Sequence, residues 1–467
     1  MVFSLRELVY ISYMKKECLL LLLAGVMAVA GWAQPSGIIR ADGRRLSGVE
    51  VDSLVGRLMD AAEVTGLCIG IVQDGQPVLV RAYGYRNRAL GERNDTATCF
   101  YAASLSKAVF ARLVMQLVDE GRIDLDKPLY SYLPKPIPEY ANYKDLVGDD
   151  RWKLITARMC LDHTTGFPNW RQFNPRGNNK LEIFFTPGQR YAYSGEGLYL
   201  LQLVVETITG RPLEDLAREK IFQPLGMRRT SYVWQPEFER DYAVGHDMNQ
   251  DTLRKRRRST ANAAGSMETT IADYTRFMAA MMRRDGLSAG ACMAMWSPQI
   301  PIYSRRQFPS LDTAVTDDNT AVHLSYGLGW GVFDSKYGKA VFKEGHDDCW
   351  QHYTIGFPDK RLAFVLMANS DFGESIYKEL VEQLSGVVIP WYWEGYTPYR
   401  PMVRLPDSVM PDIAGKYEAP DGKIRAVITL VNGRLKVASE TFQLPPTNLY
   451  AGVDGHFFLK TDRKSVV

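Results

Sequence analysis

Ser104-Leu105-Ser106-Lys107 stands at the head of a segment in which Leu105, Ala108, Val109, Leu113, Leu117 and Val118 recur at helical spacing, with Gly121 as a stop. A serine at a helix start and a lysine three residues on share one helix face. The partial positive charge of the helix N-terminus favours an alkoxide at Ser104 and disfavours a charged Lys107. A lysine with a lowered pKa can take a serine proton. The spacing alone is weak, because an N-cap serine and a solvated lysine would produce the same pattern.

Upstream, Val51, Leu54, Val55, Leu58, Met59 and Ala62 form a helical stripe over residues 48–64. Leu67–Val72 and Val78–Ala82 then flank Asp74-Gly75, a hairpin signal. Downstream, Pro187-Gly188 introduces Tyr191-Ala192-Tyr193-Ser194-Gly195-Glu196-Gly197, followed by the helical run Leu198–Ile208. A tyrosine in a glycine-rich turn before a helix can project its phenol into a cleft. Phe342-Lys343-Glu344-Gly345 precedes two strand-like runs, Tyr353–Phe357 and Leu362–Ala368, joined at Pro358-Asp359-Lys360. A lysine on an edge strand can hold an anionic group, and a glycine beside it admits a close backbone approach. Ser375–Leu384 reads as a helix. These patterns predict one discontinuous sheet closed by the first and last segments of the domain, with helical and loop-rich sequence between them.

Prolines 398, 401, 406 and 411 mark a linker, and Asn432-Gly433 between Ala426–Val431 and Leu435–Ala438 marks a second hairpin. Residues 412–467 therefore read as a small β module, short for an independent core. It is expected either to pack on the main domain or to be the first part of something longer. Trp391-Tyr392-Trp393 reads as packing between the two. At the other end, Met14-Lys15-Lys16, the apolar run Cys18–Ala30 and Gly31-Trp32-Ala33 form a secretory signal, with Met14 as the true start. The apolar run is short of the roughly 20 residues needed to span a bilayer.

The 467 residues are 46% hydrophobic and 23% charged, ordinary globular values that exclude a disordered or collagen-like chain. A net charge of +3 demands no nucleic-acid partner. Six cysteines without a Cys-x-x-Cys pair exclude a disulfide scaffold and a structural zinc site. Signal removal would leave five, so at least one thiol stays free or pairs between chains. His346-Asp347-Asp348 with His352 is a poor metal set, and His163 reads as a hydrogen-bonded residue near the cleft. Arg254-Lys255-Arg256-Arg257-Arg258 reads first as a solvated loop, and second as a loop that attracts anionic cell-envelope polymers.

Taken in order, these motifs resemble the serine β-lactamase and penicillin-binding-protein superfamily, closest to its class C β-lactamase, D,D-peptidase and esterase branch. The signature is Ser-x-x-Lys with Lys-Thr-Gly, and the branch carries Tyr-x-Asn as its second motif. Leu125–Leu129, His163-Thr164-Thr165-Gly166-Phe167-Pro168, Pro224–Met227, Ala264-Gly265-Ser266-Met267 and Tyr326–Trp330 add to the match, which covers about residues 48–390. The resemblance implies an α/β (α+β) fold, an antiparallel sheet flanked by helices plus a helical subdomain. The organisation expected is a signal peptide at 1–33, a β-lactamase/transpeptidase-like serine hydrolase domain at 46–390, a linker at 391–411 and the β module at 412–467.

The same resemblance implies the roles. Ser104 would be the nucleophile, Lys107 its proton acceptor, and Tyr193 the acid or base near the leaving group. Lys343 would hold Tyr193 reactive and attract a substrate carboxylate, and Gly345 would let the substrate approach. The backbone N–H groups of Ser104 and His346 would form the oxyanion hole. The implied chemistry is acyl transfer through an ester on Ser104, without metal or other cofactor, on D-amino-acid peptides, small esters or amides, or β-lactams. Cell-wall peptides are the expected partners. No nucleic acid, and no membrane anchor after signal cleavage, is expected for this secreted or periplasmic protein. The alternative is a penicillin-recognising sensor or binding protein with little turnover. Two departures count against an efficient β-lactamase: Gly195 stands where the family has an asparagine, and Glu344 where it often has a threonine.

Overall fold

The computed structural model describes residues 37–390, 393 and 398–460. The expected signal segment lies outside the described residues, as do Trp391 and Tyr392. Helix α1, Gly48–Ala62, begins at a capping box. Ser47 Oγ accepts the Glu50 N–H while the Glu50 carboxylate accepts the Ser47 N–H. Strands β1 (Gly66–Gln73) and β2 (Gln76–Asn87) turn through Asp74 and Gly75 at φ 51° and 74°. Two successive positive φ values are what a two-residue hairpin turn requires, and Asp-Gly supplies them cheaply.

The chain then leaves the sheet by β3 (Glu92–Arg93) and enters the helical region. This region holds α2 (Leu105–Asp119), α3 (Gly195–Thr209), α4 (Ile271–Arg283) and several shorter turns. It returns through β4 (Ile300–Pro301), β5 (Ser325–Tyr326), β6 (Gly331–Ser335), β7 (Gly338–Asp347), β8 (Trp350–Phe357) and β9 (Leu362–Ala368), and ends in α5 (Tyr377–Ser385). The nine strands form one sheet in the order β4-β5-β6-β7-β8-β9-β1-β2-β3, with antiparallel neighbours throughout. Pairing of β9 with β1 joins the first and last segments of the domain, as the sequence predicts. The fold is the expected mixed one, an antiparallel sheet with helices on both faces.

Side chains alternate across the sheet and so feed two cores. Leu67, Ile69 and Ile71 of β1, with Phe364 and Leu366 of β9, pack with α1 and α5. Cys68, Ala363, Val365 and Met367 face the other way, onto the core that contains α2 and α4. At Gly70 a side chain would run into Thr275 of α4, so glycine is what lets that helix lie close to the sheet.

Strand β7 corrects one expectation. It is internal to the sheet over Gly338–Phe342, where β6 covers it. Beyond Phe342, among the described residues, only β8 pairs with it, through Asp347. The segment from Lys343 onward is therefore a local edge within a central strand, and this edge faces the helical region.

Past the proline-rich stretch, strands β10 (Gly415–Glu418), β11 (Arg425–Val431), β12 (Arg434–Ser439) and β13 (Leu444–Asn448) form an antiparallel sheet. Its Asn432-Gly433 turn again has two positive φ values, 49° and 73°. Met402-Val403, in the proline-rich stretch, pairs with Ala451-Gly452. Among the described residues this region contacts the main domain through a few side chains, including Lys460, which donates to Ala62 O (2.9 Å) and lies over the Phe372 ring at 4.4 Å. Asn448 N–H donates to Asn249 Oδ1 (3.0 Å), and Lys460 and Arg434 reach Glu63 just past α1 (3.0 and 3.6 Å). Tyr417, Val427, Leu430, Val431 and Phe442 are exposed on it. Trp393 is buried in the main domain against Tyr191 and Phe342. Among the described residues, five cysteines are free and buried, and no helix is long and apolar enough to cross a membrane.

Candidate active site

The nucleophile candidate sits on a strained strand-to-helix turn. Phe100-Tyr101 pairs with Glu268-Thr269, and Ala102 N–H donates to Met267 O (2.8 Å). Ala103 then takes φ 45°, a left-handed conformation that costs an alanine about 1 kcal/mol, and α2 begins. Ser106 clamps this turn. Its hydroxyl donates to Ala103 O (2.6 Å) and accepts the Met267 N–H (3.1 Å). Ser104 occupies the N-cap position, yet its hydroxyl makes no capping hydrogen bond. It lines a cavity of about 440 Å³. Lys107 is buried rather than solvated, at 1% exposure. The two features that would have made the pair ordinary are therefore both missing.

Lys107 Nζ lies 2.8 Å from Ser104 Oγ and donates to Ala264 O at 2.6 Å. Desolvation and the Lys343 ammonium hold its amine well below the ordinary lysine value, and Glu344 opposes them in part. Tyr193 precedes α3, whose N-cap is Ser194, accepting from Gly197 N–H (3.1 Å). Its ring lies 5.0 Å from Lys107 Nζ and 4.9 Å from Lys343 Nζ, measured to the centroid. The ring of His163 packs on it at 4.3 Å. His163 Nδ1 accepts the Ser194 N–H (3.2 Å) and His163 O accepts the Ala192 N–H (2.8 Å), so the residues on both sides of Tyr193 are tied to His163. Burial, Lys107 and Lys343 push the His163 imidazole well below its usual value and keep it neutral.

Lys343 donates to Tyr193 Oη (3.1 Å), to Glu344 O (2.9 Å) and to Glu344 Oε1 (2.9 Å). Gln307 Nε2 donates to the same carboxylate oxygen at 2.7 Å. Glu344 both pairs with Lys343 and lines the cavity. Gly345 is required by packing. A Cβ there would lie 2.8 Å from Ala102 O and 3.2 Å from Leu105 N. His346 lines the cavity with its Nδ1 2.8 Å from a Glu374 oxygen.

The structure thus brings Ser104, Lys107, Tyr193, Lys343, Gly345 and His346 to one place. It adds residues that no motif or spacing marks. Gln307 and Phe308 arrive from the segment before β5, and Phe308 packs on Tyr193 at 5.5 Å. Trp170 fills the space beside Gly195, where any side chain would collide with its indole. Asn169, next to it, lines the cavity and accepts the Gly195 N–H at 3.1 Å through Oδ1. A carboxamide is therefore present near the position where the second motif lacks one.

The basic run is a solvated loop only in part, exposed at Arg254, Arg256 and Arg257 but not at Lys255. Lys255 is buried and pairs with buried Glu268 at 2.7 Å. Arg257 pairs with Glu239 at 2.5 Å, and the Arg258 guanidinium lies over the Tyr101 ring at 3.6 Å. Among the described residues no group of three or more His, Cys, Asp and Glu is placed to hold a metal. His352 Nε2 instead lies 2.7 Å from Tyr101 O.

A family model described as Beta-lactamase matches residues 51–384. Penicillin-binding protein 4 of Amycolatopsis lactamdurans is 24% identical over 380 residues, covering 77% of this chain and 94% of its own length. The D-alanyl-D-alanine-carboxypeptidase/endopeptidase AmpH of Escherichia coli K12 is 25% identical over 372 residues, covering 73% and 91%. Among solved structures, the octameric penicillin-binding protein homologue from Pyrococcus abyssi superposes with a TM-score of 0.57 at 19% identity, over 89% of this chain and 97% of that one.

Proposed function

Because the chain belongs to the Beta-lactamase family and is a serine hydrolase, we propose that it works through an acyl-enzyme on Ser104, with neutral Lys107 as the proton acceptor. The observation that carries this reading is the 2.8 Å approach of a fully buried lysine amine to an uncapped serine hydroxyl. A neutral amine has two hydrogens and one lone pair. With one hydrogen given to Ala264 O, the lone pair is free to take the Ser104 proton. Ser104 Oγ attacks the substrate carbonyl. The oxyanion is received by the N–H groups of Ser104 and of His346, the latter on the locally unpaired edge of β7. Tyr193, holding the hydrogen bond from Lys343, passes a proton to the leaving group. Water then attacks the ester, Tyr193 accepts its proton, and the C–O bond to Ser104 breaks with the serine reprotonated.

The substrate class proposed is D-amino-acid peptides first, small esters and amides second, β-lactams last. The similarity to a D-alanyl-D-alanine-carboxypeptidase/endopeptidase supports the first. The Lys343–Glu344 pair disfavours substrates that need a carboxylate held at Lys343. Asn169 is the candidate for holding the substrate amide in place of the absent asparagine. The signal-like residues 14–33 support action outside the cytoplasm.

The test is turnover of D-alanyl peptides and of a chromogenic acetate ester by the chain lacking residues 1–33. Ser104→Ala is expected to lower kcat by roughly 10⁴-fold or more. Turnover that survives Ser104→Ala would overturn the acyl-enzyme reading, and a stable penicillin adduct with no turnover of any of these substrates would overturn the hydrolytic one.

A further inference from the structure

In this cleft the lysine of the third motif has nothing left to offer a substrate anion. An ammonium has three N–H donors, and Lys343 faces three acceptors: Tyr193 Oη, Glu344 O and Glu344 Oε1. It has no exposed surface, and the carboxylate beside it presents negative charge to the cavity. The positive charge that lines the same cavity as Ser104 comes from Arg256 and Arg258.

The basic run is built so as to present these two side chains. The segment between the short strands ending at Leu253 and starting at Glu268 carries its basic residues in alternation. The alternate positions Lys255 and Arg257 are anchored, Lys255 on Glu268 and against the Trp350 ring (4.6 Å), Arg257 on Glu239. Arg258 is steered by the face of Tyr101. Its contacts with Glu268 and Asp347 are long, 3.8 Å each, and Glu268 is already engaged by Lys255. Arg256 is exposed and makes no ion pair among the described residues. Both guanidiniums also line an adjoining cavity of about 590 Å³, shared at Tyr101, Asp347 and Asp348. The two aspartates are the opposing charges here. Asp347 contacts Arg258 loosely, and Asp348 stands exposed beside it. A planar carboxylate can engage a guanidinium through two parallel N–H donors, which neither 3.8 Å contact achieves.

We propose that Arg256 and Arg258 form the anion subsite of this cleft, taking a substrate carboxylate remote from the scissile carbonyl, in place of Lys343. The proposal rests on the hydrolase reading and adds to it a substrate class: peptides or esters with an acidic group along the chain rather than beside the scissile bond.

The probe is a matched pair of p-nitrophenyl esters, the neutral pentanoate and the carboxylate-bearing glutarate, at low ionic strength. The quantity read is the ratio of their kcat/KM values. Arg256→Ala is expected to lower the glutarate-to-pentanoate ratio by about tenfold, Arg256→Lys by less, and 0.5 M salt is expected to narrow the difference between variants. A merely structural loss lowers both esters and leaves the ratio alone. An unchanged ratio in Arg256→Ala and in the Arg256→Ala/Arg258→Ala double variant overturns the proposal. Should the unaltered chain turn over neither ester, the hydrolase reading is what suffers. The subsite is then judged by calorimetric binding of glutarate to Ser104→Ala protein: binding lost with Arg256→Ala supports it, and absent or Arg256-independent binding overturns it.

Discussion

Lys107 is where burial becomes chemistry. An amine closed off from water, with a second ammonium nearby, gains little by holding its proton, and its pKa falls well below the ordinary value. A base of this kind is active above its pKa and lost as pH falls through it, so kcat/KM should show an acid limb governed by Lys107. The Glu344 carboxylate raises the Lys107 value against the burial and the Lys343 charge that lower it. Glu344→Gln should therefore move the acid limb to lower pH, measured as a pH–rate profile on a neutral ester. A limb that stays in place or moves to higher pH would remove Lys107 from the role of base. The candidate base and nucleophile were legible because their three-residue spacing is local and stands in order with the other motifs of the resemblance. Gln307 and Trp170, which trim the same site, were not, because their positions depend on distant chain.

At the scale of elements, the site exists because β7 and the start of α2 touch. Gly345 stands between Ala102 O and Leu105 N, and Ala103 takes its strained φ in the same turn. Gly345→Ala places a methyl 2.8 Å from a backbone oxygen, so strand and helix must part by a few tenths of an ångström. The expected cost is about 1–3 kcal/mol of stability. A misplacement of this kind can lower kcat by about 100-fold. Thermal unfolding and steady-state kinetics together check it; a variant with both quantities unchanged would show that the contact is slack. The helices and both hairpins were readable from period and from Asp-Gly and Asn-Gly turns. The half-covered edge of β7 was not, since strand order is fixed by which faces meet in space.

At the scale of the whole molecule, the two cores lock sheet and helices together, whereas the C-terminal β region holds on by a few polar contacts. Glu63 takes most of them, with Lys460 and Arg434 both upon it. Burial brings the Lys460 amine down to about 8 although Glu63 pulls it up. Glu63→Ala should loosen this attachment. Protease cleavage within residues 398–411 should become faster, with kcat on small esters unchanged, because Glu63 is remote from the cavity. Equal cleavage rates in the two proteins would show that the attachment lies elsewhere.

The sequence by itself determined what local periodicity and a resemblance carried by ordered motifs can give: a mixed antiparallel fold closed by its first and last strands, and the candidate set Ser104, Lys107, Tyr193 and Lys343. Only the tertiary structure decided how those groups are charged and what surrounds them. It buried Lys107, turned Glu344 onto Lys343, set Trp170 beside Gly195 and brought Arg256 and Arg258 to the cleft. The reason is physical. Helix and hairpin formation depends on neighbours within a few residues, but desolvation, ion pairing and cavity shape depend on surfaces that meet only after the chain has folded.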